Sequence, residues 1–173
     1  MRLLLSIIII IFSANTVIAA DKSTGVLKVG DMVPEALGVD RHGNKISAPD
    51  HIGKIVVISF WATWCPPCRK ELPIIDNLQR LAGKDNLSVI AVNFGEKRRT
   101  FRKFIKAAKL KNLTFTHDSK GRIGKKSYGV TAIPHMVIVD HTGKIAHIHI
   151  GYGEGSIDSL VTEINALLRN LPA

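Results

Sequence analysis

The two cysteines of this 173-residue chain, Cys65 and Cys68, are separated by two residues, Pro66 and Pro67. The apolar run Ile55–Trp61 comes shortly before them and predicts a buried strand. Consecutive prolines fit the first turn of a helix, where their missing N–H groups have no intrahelical partner. The sequence therefore predicts a strand, a turn and a helix that begins at the cysteine pair.

This placement favours redox chemistry at the two cysteines. A helix N-terminus stabilises a thiolate, so Cys65 is the expected nucleophile of disulfide exchange, and Cys68 can resolve the mixed disulfide. A purely structural disulfide across so short a loop adds little stability. A zinc site normally needs four ligands, and the chain has no second cysteine pair. We predict a redox-active dithiol that uses no metal and no cofactor.

The N-terminus has the pattern of a secretory signal. A positive start and an apolar run over residues 3–12 are followed by small residues that end at Ala19 and Ala20. We expect a cleaved signal peptide over residues 1–20 and one domain over residues 21–173. An uncleaved anchor is the less favoured alternative, because the apolar run is short for a membrane span. Export places the dithiol in the periplasm or another oxidising, extracytoplasmic compartment.

Basic residues are concentrated in one segment of the chain. Lysine and arginine number 24 against 14 aspartate and glutamate residues, a net charge of +10. Much of the excess lies in residues 97–111, where Phe101, Phe104 and Ile105 recur at helical spacing. The basic side of this helix is either an ordinary solvated face or a docking surface for an acidic partner or an anionic membrane. We find no nucleic-acid motif and expect no nucleic acid as partner.

Apolar alternation and helical periodicity continue along the rest of the chain. They predict short strands around a hairpin turn, longer strands, an extended piece at Phe115 and four helices. The strands are expected at 36–39, 45–47, 87–94, 135–140 and 145–150, and the helices at 66–81, 99–110, 121–128 and 156–169. This order predicts an α/β fold with one mixed sheet and helices on both of its faces.

The segment from Phe60 to Glu71, FWATWCPPCRKE, resembles the active-site segment of the thioredoxin superfamily. More narrowly, the chain is similar to the exported TlpA/ResA/DsbE-like branch, through residues 29–34, the hairpin at Gly43 and the segments 128–134 and 140–145. The resemblance implies a thioredoxin-like fold, with a central mixed β-sheet flanked by helices and an N-terminal β-hairpin addition.

The same resemblance assigns roles to individual residues. It implies that Cys65 is the exposed attacking thiol and Cys68 the buried resolving thiol. Pro134, expected to be cis after Ile133, would lie against the pair and leave backbone groups available to an extended substrate. Two more residues, Trp64 and Pro66, complete the expected substrate-binding surface; Trp61 is either a second wall of the site or part of the core.

Glu71 follows Cys68 by three residues on the predicted helix, and in the resembling branch a glutamate at this position influences the titration of the thiols. Burial would raise its pKa and make it a proton acceptor for Cys68, whereas an ordinary solvated glutamate is the alternative. Thioredoxin itself has a buried aspartate where this chain has Ser59. Glu71 is therefore the candidate carboxyl group of the site.

His135 departs from the pattern of the branch. It follows the expected cis-proline, where a small hydroxyl residue is usual, and it either stabilises the Cys65 thiolate as part of the substrate-binding site or is an ordinary strand residue.

Two further histidines, His147 and His149, lie on one face of a predicted strand. Their spacing favours a surface pair over a metal site.

We predict from these observations an exported thiol–disulfide oxidoreductase. The resemblance implies that it reduces disulfides of particular partner proteins, as in cytochrome c maturation or copper-site assembly, and takes electrons from a thiol–disulfide donor in the membrane. We expect a monomer. A disulfide oxidase or isomerase, and a copper-binding metallochaperone that uses both thiolates, are the alternatives.

Overall fold

The computed structural model of the chain describes residues 26–151, 153 and 156–172. The expected signal peptide and the first residues after it lie outside the described residues. The strands are β1 (Ala36–Val39), β2 (Lys45–Ser47), β3 (Ile55–Trp61), β4 (Leu87–Phe94), β5 (Thr114–Asp118), β6 (His135–Val139) and β7 (Ile145–Ile150). The α-helices are α1 (Pro66–Ala82), α2 (Arg98–Ala107), α3 (Arg122–Ser127) and α4 (Ser156–Arg169), with a 3-10 turn at Ala48–His51.

All seven strands join one mixed sheet in the order β2-β1-β5-β4-β3-β6-β7. The strands β3, β4 and β5 are parallel, and the other pairs are antiparallel. The predicted central mixed sheet and its N-terminal hairpin addition are confirmed. Because β3 and β4 run in parallel, the residues that follow their carboxyl ends meet at one edge of the sheet.

The alternation of side chains along β3 divides the core into two layers. Val57 and Trp61 face a cluster that α1, α2 and α4 cover, and this cluster contains both cysteines. Ile58 and Phe60 face the opposite cluster, which is built with residues from β1, from α3 and its flanking turns, and from the 3-10 turn. The dithiol therefore lies on the three-helix side of the sheet.

The predicted elements are confirmed, with shifts at a few ends. The helix α1 continues through Pro73, which is exposed, and ends at Gly83 with φ 82°. The helix α2 ends at Ala107, earlier than predicted, because the backbone of Ala108 is extended. The following segment is held by Asp76, whose carboxylate accepts hydrogen bonds from the backbone N–H and the side-chain amide of Asn112. No helix within the described residues is long and apolar enough to span a bilayer.

Candidate active site

The two cysteines form a disulfide at the beginning of α1. Cys65 is the N-cap residue of this helix, and its Sγ accepts a hydrogen bond from the backbone N–H of Cys68 at 3.3 Å. Both residues are buried, with 2% of Cys65 and none of Cys68 exposed. The expectation of an exposed Cys65 is wrong for this oxidised state, because its sulfur is bonded to Cys68 and packs into the core cluster that contains Leu72.

The residues around the disulfide present both an exposed and a buried side. Trp64 is 67% exposed and Pro66 is also exposed, so they form the accessible surface next to Cys65. Ile133 packs against the cluster that contains the disulfide, and the peptide bond between Ile133 and Pro134 is cis, as predicted. The structure thus brings Trp64, Pro66 and Ile133 to the region of the dithiol, and the contact of Pro134 with the cysteine pair stays a prediction.

Glu71 lies one helical turn after Cys68 and is only 7% exposed. Its Oε2 has no hydrogen-bond partner within the described residues. Burial raises the pKa of this carboxyl group from its ordinary value of 4.5 to about 7. Ser59 is buried in β3, between Val57 and Trp61, on the face that α1 covers. Glu71 therefore has the burial and the raised pKa that a proton acceptor near neutral pH needs.

His135 lies on the other side of the sheet from the disulfide. Its neighbour Met136 belongs to the cluster of the cysteines, whereas Val137 belongs to the opposite cluster, so strand alternation directs His135 away from the sulfurs. Its ring meets Phe60 edge-on, with centroids 6.0 Å apart, and burial lowers its pKa. The structure places His135 beside the cis-proline in the chain and does not bring its ring to Cys65.

The remaining candidates from the sequence lie outside the site. Trp61 is fully buried and packs against Phe104, with ring centroids 4.6 Å apart, so it is a core residue. His149 Nε2 lies 2.6 Å from Glu163 Oε2, and His147 Nδ1 lies 3.5 Å from Glu163 Oε1. In the part of the chain that the structure describes, no group of three His, Cys, Asp or Glu residues has the geometry of a metal site.

A carboxylate that the sequence analysis missed holds the loop before Cys65. Glu96 Oε2 accepts hydrogen bonds from Thr63 N at 2.7 Å and Asn93 Nδ2 at 2.6 Å, and Glu96 Oε1 accepts one from Thr63 Oγ1 at 2.6 Å. His117 Nε2 lies 2.8 Å from the carbonyl oxygen of Glu96. These contacts tie the loop after β3 to the segment that precedes α2.

The sequence does contain a signal for this contact. Asn93 is the second-last residue of β4, Glu96 follows the carboxyl end of that strand, and Thr63 follows the carboxyl end of β3. Since neighbouring parallel strands end at the same edge of a sheet, polar residues directly after them are candidates for mutual contact. Glu96 is 9% exposed, and its hydrogen bonds restrain the backbone two residues before Cys65.

We predict that Glu96→Ala lowers the free energy of unfolding by about 2 kcal/mol, because it removes charge-assisted hydrogen bonds from three donors in a largely buried setting. Denaturant titration measures this change, and hydrogen exchange at the Thr63 amide is expected to become faster. The control is Asp31→Ala, which removes one exposed hydrogen bond to the N–H of Lys28. Equal stability losses in the two variants would contradict the role of Glu96.

Comparison with known proteins agrees with this geometry. The model of the family described as Redoxin matches residues 28–166. The thioredoxin-like protein YneN of Bacillus subtilis is 36% identical over 127 residues, covering 72% of this chain and 73% of the relative. The thiol-disulfide oxidoreductase ResA of Geobacillus thermodenitrificans is 33% identical over 125 residues, covering 71% of this chain and 70% of the relative.

A solved structure gives the same result at the level of the fold. A crystal structure of a putative thiol:disulfide interchange protein DsbE from Chlorobium tepidum has a TM-score of 0.75 and 31% identity, and covers 82% of this chain and 99% of that one. The disulfide at the start of α1 lies within the matched family segment. The chain therefore belongs to the Redoxin family, as a thioredoxin-like thiol–disulfide oxidoreductase of the ResA and DsbE type.

Proposed function

We propose that this chain is an extracytoplasmic reductant of disulfides in specific partner proteins. The observation that supports this most is the Cys65–Cys68 disulfide at the start of α1, with the buried Glu71 one turn further on, whose Oε2 has no hydrogen-bond partner among the described residues. A helix N-terminus stabilises the Cys65 thiolate after reduction, and the thiolate is the reactive form. Exposed Trp64 offers a surface for the partner chain next to this sulfur.

The proposed reaction transfers two electrons to the partner. The Cys65 thiolate attacks one sulfur of the partner disulfide, which forms a mixed disulfide and releases the other partner sulfur as a thiolate. The Cys68 thiol then gives its proton to the Glu71 carboxylate and attacks the Cys65 sulfur. This step releases the second partner sulfur as a thiolate and oxidises Cys65 and Cys68 to the disulfide. The two partner thiolates take up one proton from Glu71 and one from the solvent, so the partner leaves as a dithiol.

A dithiol donor in the membrane would reduce the chain again, since an oxidising compartment does not supply electrons to a free dithiol. The signal-like pattern of residues 1–20 supports export into such a compartment. We propose that the domain acts there as a monomer. Its partners would be proteins whose cysteines must be kept reduced for the attachment of haem to cytochrome c or for the assembly of a copper site.

The test is to trap the partner. A Cys68→Ser variant, expressed in the native host, is expected to accumulate as a mixed disulfide through Cys65, because the resolving thiol is missing. Mass spectrometry identifies the trapped proteins, and the double variant Cys65→Ser/Cys68→Ser is the control. A few haem- or copper-assembly proteins are the expected result, with a reduction potential nearer −270 mV, about that of thioredoxin, than −120 mV, about that of DsbA.

Two outcomes would contradict this proposal. A broad range of secreted proteins on Cys65, together with a potential near about −120 mV, would assign the chain to the oxidases. No trapped protein, together with tight Cu(I) binding by the reduced wild type and not by Cys65→Ser, would assign it to the copper carriers.

A further inference from the structure

The surface around the disulfide carries several exposed cations. Arg69 and Lys70 follow Cys68 directly in α1, and both side chains are exposed. Lys97, the N-cap residue of α2, and Arg99, in its first turn, are exposed as well. The hydrogen bonds between Glu96 and Thr63 bring the start of α2 to the loop before Cys65. These four cations, together with Arg102, are called the basic surface below.

The basic surface has few opposing charges nearby. The first turns of α1 and α2 contain no acidic residue. Glu71 and Glu96 are buried, and the Glu96 carboxylate already accepts hydrogen bonds from uncharged groups. Within residues 26–151, 153 and 156–172, salt bridges form between two histidines and Glu163, and none involves a lysine or an arginine. The positive ends of two helix dipoles add to the same potential.

Positively charged side chains extend from the region of the disulfide along α2. Arg102 Nη2 donates a hydrogen bond to the carbonyl oxygen of Arg41 at 3.4 Å, which joins α2 to the turn between β1 and β2. Arg41, Arg102 and Lys106 line an open groove of about 270 Å³, with Ile105 in its wall. A partner chain that contacts Trp64 would therefore meet cations over the length of a short peptide segment.

We propose that Trp64 and the basic surface bind an acidic segment of the partner protein, next to the disulfide that the dithiol reduces. This inference rests on the proposed function, because it names a property of the partner of that same site. Aspartate and glutamate residues beside the partner's cysteines would be attracted to the cations during encounter, and Trp64 would cover the apolar part of the segment. The charge pattern thereby selects among disulfides that are otherwise equally reactive.

Three synthetic peptides test this selection. They share one intramolecular disulfide and one length, and their flanking residues are glutamate, glutamine or lysine. Each is mixed with a stoichiometric excess of the reduced wild-type domain, and the loss of the peptide disulfide is followed in time. At an ionic strength of about 0.01 M, we expect the acidic peptide to react about tenfold faster than the neutral one and the basic peptide to react more slowly. At about 1 M salt, the three rates are expected to converge.

Charge reversal locates the effect on the molecule. The variant Lys97→Glu/Arg99→Glu is expected to lose the preference for the acidic peptide, measured as the ratio of the acidic-peptide rate to the neutral-peptide rate in the same variant. The control Lys125→Glu/Lys126→Glu makes the same change of charge on α3, on the opposite side of the sheet, and is expected to keep the preference. Because both rates in each ratio come from the same variant, a change in thiol reactivity cancels, and the ratio reports recognition alone.

Several results would overturn the inference. Equal rates for the three peptides at low salt would do so, and so would an equal loss of preference in the control variant. Binding of the domain to vesicles that contain phosphatidylglycerol, with no discrimination among the peptides, would assign the basic surface to a membrane instead. Failure to reduce even the neutral peptide would overturn the proposed function, and the inference with it.

Discussion

Replacing Cys65 by serine is expected to lower the rate of insulin disulfide reduction by at least about 10³-fold, because a serine hydroxyl is a far weaker nucleophile than a thiolate. Cys65 is the N-cap residue of α1, and the backbone N–H of Cys68 already points at its sulfur from 3.3 Å. In the reduced protein, this N–H and the helix dipole favour the ionised sulfur. Insulin turbidity with dithiothreitol measures the loss.

The variant Cys68→Ser is the matched control, since it removes the same disulfide and introduces the same hydroxyl group. It is expected to lose catalytic turnover while keeping a single rapid reaction at Cys65, which stalls as a mixed disulfide. Iodoacetamide at mildly acidic pH should therefore label Cys68→Ser faster than it labels Cys65→Ser or a free amino-acid thiol. Equal labelling of the two variants would contradict the assignment of Cys65 as the attacking thiol.

The sequence was sufficient to predict the position of the dithiol in the fold. Cys65 and Cys68, the two prolines between them and the apolar run Ile55–Trp61 impose local rules on the backbone, and the structure follows them. Glu71 could be predicted to lie near the sulfurs because residues three apart share a helix face. These inferences depend on short stretches of chain and on side-chain periodicity.

Other features of the site depend on tertiary contacts that the sequence pattern does not contain. The burial of Cys65 results from packing with Leu72 and the rest of its cluster. Side chains alternate between the two faces of the sheet along β6, and the direction of the His135 ring depends on which face position 135 occupies. The contact between Glu96 and Thr63 joins residues 33 positions apart, through the parallel pairing of β3 and β4. Such contacts require the sheet register and cannot be obtained from local rules.

Replacing Glu71 by glutamine is expected to stabilise the oxidised protein at pH 8 by about 3 kcal/mol. The pKa of this carboxyl group is raised from 4.5 to about 7 in the folded state. Between these two pH values, the folded state therefore holds a proton that the unfolded state has released. The stability of the wild type therefore falls as pH rises from 4.5 through 7, whereas Glu71→Gln lacks this ionisation. At pH 4 both side chains are neutral, and the two proteins should differ by less than about 1 kcal/mol.

The same substitution should slow the resolving step. If the Glu71 carboxylate accepts the Cys68 proton, the wild-type rate of mixed-disulfide resolution rises with pH to a plateau above about 7. In Glu71→Gln that rate should be about 10²-fold lower at pH 8, and its rise near pH 7 should be absent.

Urea unfolding at pH 4 and pH 8 measures the stability of Glu71→Gln, with exposed Asp85→Asn as the control, and stopped-flow Trp fluorescence measures the rate of mixed-disulfide resolution. A variant that gained stability at pH 8 and resolved as fast as the wild type would show that Glu71 is buried without serving proton transfer.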